Sequence, residues 1–389
     1  MTKIDYLDNG ATTMVDPNVV KVMLPYFTEK YGNASSTHLL GQEAKRAMED
    51  ARKVIAKSIG AKVNEIVFTS GGTESNNLAL KGIAFANKNK GNHIIVSKID
   101  HDCVLNSAKW LETQGFEVTY LDVDSEGFVK EEDLENAITD KTILVSIIHG
   151  NNEIGTVQNL KKLGQICKSK GVYFHTDACQ SYTKTELNVK KMNIDLITLN
   201  AHKIHGPKGV GVLYVRKGVK ITPLAHGGGH EFGLRSGTEN IPGIVGFAKA
   251  VQLAMNKKHI KYMTRLRDKI IDAITKLEDV KLNGPKGEQR LCNNVNLAFK
   301  YIEGEAIGAY LDAKGIASST GSACSSMNLE PSHVLTAIGL GPEESHGSLR
   351  LTISRFTTEA EVNKLIEALP KIVKNLRKIS PLTDRIKGF

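Results

Sequence analysis

An α/β protein with a mostly parallel, seven-stranded sheet flanked by helices, followed by a smaller α+β unit, is the fold this 389-residue sequence predicts. Two observations carry that expectation. From about residue 60 to 215, short β-branched runs alternate with amphipathic helical stretches, the rhythm of a parallel sheet covered on both faces. After about residue 245 strands become fewer and helices longer. The chain is also long enough for one large and one small core.

Taken in order, "PNVVKVMLPYFTEKYG" reads as a helix able to pack with either unit. The strands are "EIVFT" (65–69), "HIIVS" (93–97), "FEVTYLD" (116–122), "TILVSII" (142–148), "VYFHTD" (172–177), "DLITLN" (195–200) and "GVGVLYV" (209–215). Amphipathic stretches such as "TESNNLALKGIAFANK" and "LKKLGQICKSKG" separate most of them. Two long helical patterns, at 243–256 and 258–278, lead to "NNVNLAF", "EGEAIGAYLDAKG" and "LRLTIS", and a last helix runs from about Thr358 to Lys378. These readings put the large unit at 16–250 and the small unit at 1–15 together with 251–389. The small unit carries a cysteine-bearing loop at about 317–330.

Composition narrows the function classes. Hydrophobic residues make up 41% and charged ones 24%, as in an ordinary globular protein. The most apolar piece, "TILVSIIH", is only strand length, and "MTKIDYLDNG" lacks a signal-peptide core, so a cytoplasmic protein is expected. The net charge of +9 is spread over helix faces, as in "MNKKHIKYMTRLRDK", with no recurring aromatic-basic cluster to mark a nucleic-acid binder. Five scattered cysteines, never in C-x-x-C spacing, argue against a disulfide framework and a thiolate zinc site. Cys103, Cys167, Cys179 and Cys292 lie in or beside apolar or helical patterns and read as buried thiols. Cys324 differs, because "SSTGSACSSMNLEPSH" surrounds it with small residues that suit a mobile loop and a reachable thiolate.

Ligands of open α/β sheets bind beyond the carboxyl ends of the strands. Those ends carry "SGGTESNN", "DHD", "HGNNE", "HTDACQ" and "NAHKIHGPKG". In "TSGGTESNN", glycines ahead of a helix let backbone N–H groups approach an anion; the plainer reading is a tight turn with Thr73 as helix cap. The stretch is neither a Walker loop nor G-x-G-x-x-G, so nucleotide binding is not indicated. Asp177 ends one strand and Lys203 follows the next. Alone, each is an ordinary capping or surface residue. Together with the glycine turn they are the groups pyridoxal phosphate needs: a phosphate cradle, a carboxylate for the ring nitrogen and an amine for the aldehyde.

With those residues in view, the sequence resembles the cysteine desulfurases of the NifS/IscS group, class-V aminotransferase-like enzymes of PLP fold type I. The segments that match are "LDNGATT", "YGNASSTH", "FTSGGTESNN", "NNEIGTVQ", "HTDACQ", "AHKIHGPKGVG", "LRSGTENIP", "SSTGSACSS", "LEPSHVL" and "SLRLTISRFTTE", in family order from residue 7 to 359. The resemblance implies removal of sulfur from L-cysteine, giving L-alanine and a persulfide on Cys324. The sulfur then passes to an iron–sulfur scaffold of the IscU type or another acceptor. It also implies that Lys203 bonds the cofactor, Asp177 pairs with its ring nitrogen, Gln180 meets its phenolic oxygen and His101 stacks on its face. Gly72, Thr73 and His202 hold the phosphate, Asn152 lies beside the ring, and Arg350 grips the substrate carboxylate. Thr238 matches a residue that reaches the neighbouring subunit's phosphate, so a homodimer is implied.

The form of the cysteine loop resembles the long-loop members. In some of these the same cysteine ligates a [2Fe–2S] cluster while docked on the scaffold, which makes Cys324 the metal-ligand candidate of the sequence. Three positions depart from the family pattern: Asn200 in place of a phosphate-contacting serine, Gly10 in place of alanine and His205 in place of tyrosine. The alternatives are another fold-type-I enzyme, such as a selenocysteine lyase or an aminotransferase, which would not need Cys324, and a non-catalytic assembly platform, which would not need Lys203.

Overall fold

The computed structural model describes residues 4–320 and 331–381. The expected strands form one sheet: β1 (Ile66–Thr69), β2 (His93–Ser97), β3 (Glu117–Leu121), β4 (Thr142–Ser146), β5 (Tyr173–Asp177), β6 (Leu196–Asn200) and β7 (Gly211–Val215). Their order is β1-β7-β6-β5-β4-β2-β3. From β6 to β3 every neighbouring pair is parallel, whereas β7 runs antiparallel to both β6 and β1. All residues of β1, β2, β4, β6 and β7 are buried, which is why these strands read as unbroken apolar runs rather than alternating ones. The edge strand β3 is largely half-exposed and correspondingly more polar.

Alternate residues of each strand feed opposite layers. Ile95 and Val145 join a core with Ile55 and Ile59 of the helix Leu39–Ile59 and Phe247 of the helix Ile241–Ala254. Ile94, Val96 and Leu144 join a second core with Leu80 and Ile83 of the helix Gly72–Asn87 and Leu111 of the helix Asp102–Glu112. The helix Pro17–Met23 packs on Ile241–Ala254, so the N-terminal helix sides with the large sheet.

The C-terminal part holds a three-stranded antiparallel sheet of β8 (Val280–Leu282), β9 (Asn294–Phe299) and β10 (Ser348–Thr352), with β9 central. The helices Lys257–Ile274 and Glu359–Ile379 share a core with it, and Thr358 and Glu361 form a capping box at the start of the latter. The first described residues cross over to this part. Asp5–Tyr6 pairs in parallel with Ile316–Ala317, Asp8 bridges to Thr352, and Leu7 sits in the C-terminal core. Arg355 closes an ion pair of 2.7 Å with Asp16, the capping residue of the helix Pro17–Met23. Among the described residues no helix is long and apolar enough to cross a membrane. Cys324 and most of its loop lie outside the described residues.

Candidate active site

The ends of β1, β2, β4, β5 and β6 open on one cavity of about 290 Å³. Gly72 and Thr73 line it after β1, His101 after β2, Asn152 after β4, Asp177 and Gln180 at the end of β5, and Asn200, His202 and Lys203 at the end of β6. Gly10 and Ala11 reach it from the N-terminal segment and Arg350 from β10. Every site residue expected from the sequence is therefore here except Thr238 and Cys324. Thr238 lines a separate cavity of about 70 Å³ with Ser70, Glu231 and Arg235.

The helix Gly72–Asn87 starts at the cavity with Gly71 as its capping residue and no side chain bonded to the cap, so Thr73 is not the cap. Its first N–H groups and the positive end of its dipole are thus suited to an anion. A methyl at Gly72 would stand 2.9 Å from Cys179 Sγ, too close without a shift, and 3.6 Å from Asn200 Nδ2, an ordinary contact. Burial, with Lys203, Lys208 and Lys184 nearby, pushes the His202 imidazole down to about 4, so it is neutral here. Its Nδ1 lies 3.1 Å from Thr12 Oγ1.

At the middle of the cavity, Asp177 accepts from the Cys179 backbone N–H (2.8 Å) and from Asn76 Nδ2 (2.6 Å), and is thereby fixed in direction. Lys203 Nζ donates to the carbonyls of Gly10 and, at 2.7 Å, Ala11. Burial first, and then the positive charge of Arg350, bring this amine down to about 8. At neutral pH roughly one lysine in ten is then unprotonated, against about one in several thousand for an ordinary one. The Gln180 amide donates to Gly10 O at 2.8 Å.

His101 caps the helix Asp102–Glu112, its Nδ1 accepting from the Cys103 N–H at 3.2 Å. The neutral ring therefore carries its proton on Nε2. His101 thus caps a helix and lines the cavity at once. Arg350 donates to Asp8 Oδ1 (3.1 Å) and Asn152 O (3.3 Å), while its buried Nε finds no partner among the described residues.

Sequence reasoning missed several neighbours. Asn76 lies one helical turn past Gly72, inside "TSGGTESNN", where nothing but the fold shows that it meets Asp177. Cys103 and Cys179, read as structural thiols, line the cavity as well. Glu153 is buried beside Arg350, accepts from Ser332 Oγ at 2.6 Å and is pushed up to about 7 by burial. Its adjacency to Asn152 in "NNEIG" was the available signal.

The class-V aminotransferase family profile matches residues 5–365. A curated relative from Methanosarcina thermophila, a cysteine desulfurase IscS, is 54% identical over 385 residues, covering 98% of this chain and 95% of its own. A cysteine desulfurase IscS from Clostridium botulinum is 52% identical over 388 residues, covering 99% of this chain and 98% of its own. Among solved structures, a NifS-like protein superposes with a TM-score of 0.90 at 40% identity, over 96% of this chain and 100% of that one. SspA in complex with cysteine gives 0.81 at 38% identity, over 91% of this chain and 100% of that one.

The chain belongs to the class-V aminotransferase family, among its cysteine desulfurases. A cysteine desulfurase of this family is a pyridoxal-phosphate enzyme, and the cavity fits that cofactor. An uncapped helix start with no room for a Cβ suits the phosphate, a fixed carboxylate suits the ring nitrogen, and a buried amine of lowered basicity suits the aldehyde. Two buried polar atoms at its wall, Asn200 Oδ1 and Arg350 Nε, lack partners among the described residues, as expected where a polar ligand supplies them.

Proposed function

We propose that this desulfurase removes sulfur from L-cysteine, releases L-alanine and leaves a persulfide on Cys324. One observation carries the assignment of residues: Lys203, Asp177, the uncapped helix start at Gly72 and the spare donor of Arg350 share a single cavity. Lys203 would hold the cofactor aldehyde, Asp177 the ring nitrogen, and Gly72, Thr73 and His202 the phosphate, with Asn152, Gln180 and Asn200 at its edges. Bound there, pyridoxal phosphate supplies an electron sink for the substrate's α-carbon.

Arg350 orients the substrate carboxylate with its planar fork. His101, whose Nδ1 accepts at the helix cap, keeps Nε2–H as a donor toward the substrate. Cys324 is the nucleophile. Burial lifts the other thiols, to about 12 for Cys103 and Cys167, to about 11 for Cys292 and well above the usual range for Cys179. None of these supplies a thiolate at neutral pH. The reaction balances without an outside oxidant: the substrate's C–S bond gives way to C–H as an S–S bond forms on Cys324.

Thr238 lies away from this cavity, which supports a role toward a second copy of the chain and a homodimeric enzyme. The persulfide would pass, in the cytoplasm, to an iron–sulfur scaffold of the IscU type or another acceptor. Peptide mass spectrometry after incubation with cysteine tests the reading. The persulfide is expected on Cys324, and Cys324→Ser should lose it while keeping the cofactor's visible band. Sulfide release that persists in Cys324→Ser would overturn the assignment.

A further inference from the structure

Lys184 is a buried amine for which the chemistry above has no use. It leaves the turn after Gln180, donates to Gln180 O at 2.7 Å and reaches Lys203 O at 3.5 Å. The ionisable neighbours acting on it most are the thiols of Cys292 and Cys179, not a carboxylate, and burial brings it down to about 8. An ammonium placed in the interior without a carboxylate is unfavourable, and a methionine of similar length would fill the space at less cost. Packing alone does not account for it.

The backbone beside it is also strained. Thr183 has φ of +64°, a left-handed conformation that a β-branched residue seldom adopts. The next residue, Lys184, turns into a second cavity of about 30 Å³, room for a water, which shares Lys203 with the larger one. The charged and titratable groups facing Lys184 come from several elements: Cys179 from its own loop, His202, Lys203 and His205 from the loop after β6, Cys292 from the approach to β9, and His259 of the helix Lys257–Ile274 and Arg355 across the small cavity.

We propose that Lys184 is a positioning residue for Lys203: its inward-turned ammonium ties the main chain at Gln180 to the main chain at Lys203, so the amine and the Gln180 amide enter the cofactor cavity in fixed relation. The inference rests on the reading of Lys203 as the cofactor-bearing lysine. It has an electrostatic corollary. A positive charge behind Lys203 opposes protonation of its amine, adding to the larger effects of burial and Arg350.

The test uses full-length apoenzyme of the wild type, Lys184→Met and Lys184→Gln, mixed with pyridoxal phosphate from about pH 6 to 9 while the visible band grows. Covalent capture needs the neutral amine, so the pH profile of its rate reports Lys203. Lys184→Met should move the midpoint up by about half a unit, roughly threefold slower capture at neutral pH, and weaken cofactor affinity several-fold. Lys184→Gln, which still donates to carbonyls, should recover affinity but not the midpoint, and it carries the test if the methionine variant does not fold. Midpoint and affinity unchanged in both variants, with only a lower melting temperature, would overturn the proposal and leave a packing lysine. Borohydride reduction and peptide mapping of the wild type separates the two failures: a label anywhere but Lys203 refutes the functional reading itself.

Discussion

Gly72→Ala puts the phosphate cradle under direct test. The added methyl would meet Cys179 Sγ at 2.9 Å, and that thiol has little freedom to retreat. The Cys179 backbone is pinned to Asp177 by a 2.8 Å hydrogen bond, and the residue is buried. Alanine at a helical position gains up to about 1 kcal/mol over glycine, whereas overpacking a tight core typically costs about 1–3 kcal/mol. Stability should therefore fall by no more than about 3 kcal/mol. Cofactor binding should suffer more, because the helix start must shift to relieve the contact and its N–H groups go with it. Losing one charge-assisted hydrogen bond to phosphate is worth about 1.5–3 kcal/mol, or roughly ten- to a hundredfold in affinity. Titration of the apoenzyme with pyridoxal phosphate measures this directly. The double variant Gly72→Ala/Cys179→Ala, which removes the clashing sulfur, should regain most of the lost affinity. If the single variant binds like the wild type, or the double binds no better than the single, the cradle argument is wrong.

Two further outcomes are expected. Arg350→Lys keeps the charge but not the planar fork. It should raise KM for cysteine by about ten- to a hundredfold while leaving the cofactor band intact, and steady-state kinetics beside an absorption spectrum decides it. Stability should also fall on mild acidification. Burial holds His149, His175, His202 and His205 at about 4, below the ordinary 6.5, so unfolding takes up protons there and the fold weakens as pH drops from 6.5 toward 4. Asp100 and Glu153, raised to about 7, act oppositely over the same window, being protonated in the fold where the unfolded carboxyls are ionised. Four histidines against two acids leave a net loss of about 1–3 kcal/mol per pH unit at the steepest. Urea midpoints at about pH 6.5 and 5 check the sign, and a flat profile would show that these imidazoles are not buried neutral.

Most strands of the large sheet were legible because burial on both faces leaves mainly apolar runs between turns, as the "IIV" of "HIIVS". Val280–Leu282 was not, since a three-residue edge strand with half-exposed side chains has neither length nor pattern. The helix Leu39–Ile59 stands outside the strand–helix alternation and went unread for that reason. At the site, Asp177 and Lys203 were visible because each stands at or just past an apolar strand end. Arg350 lies within a strand of the other sheet, and only the family resemblance pointed to it. Asn76 and Glu153 sit inside segments the sequence singles out and Lys184 in none, but for all three what matters is which carboxylate, hydroxyl or carbonyl they meet after folding.

The two sheets are coupled through β10. Thr352 accepts the Gly10 N–H on its hydroxyl at 2.6 Å and the Asn9 N–H on its carbonyl at 3.1 Å, so it seats the N-terminal segment. That segment presents the Gly10 carbonyl, which serves both Lys203 and Gln180, and the Ala11 carbonyl, which serves Lys203 again. Two residues back along the same strand, and so on the same face, stands Arg350. The segment that presents the lysine's acceptors and Arg350, the proposed grip on the substrate carboxylate, are therefore mounted on one strand of the smaller sheet. A displacement of β10 cannot change one without the other, so a variant that loosens Thr352, such as Thr352→Val, should alter cofactor capture and KM for cysteine together rather than either alone.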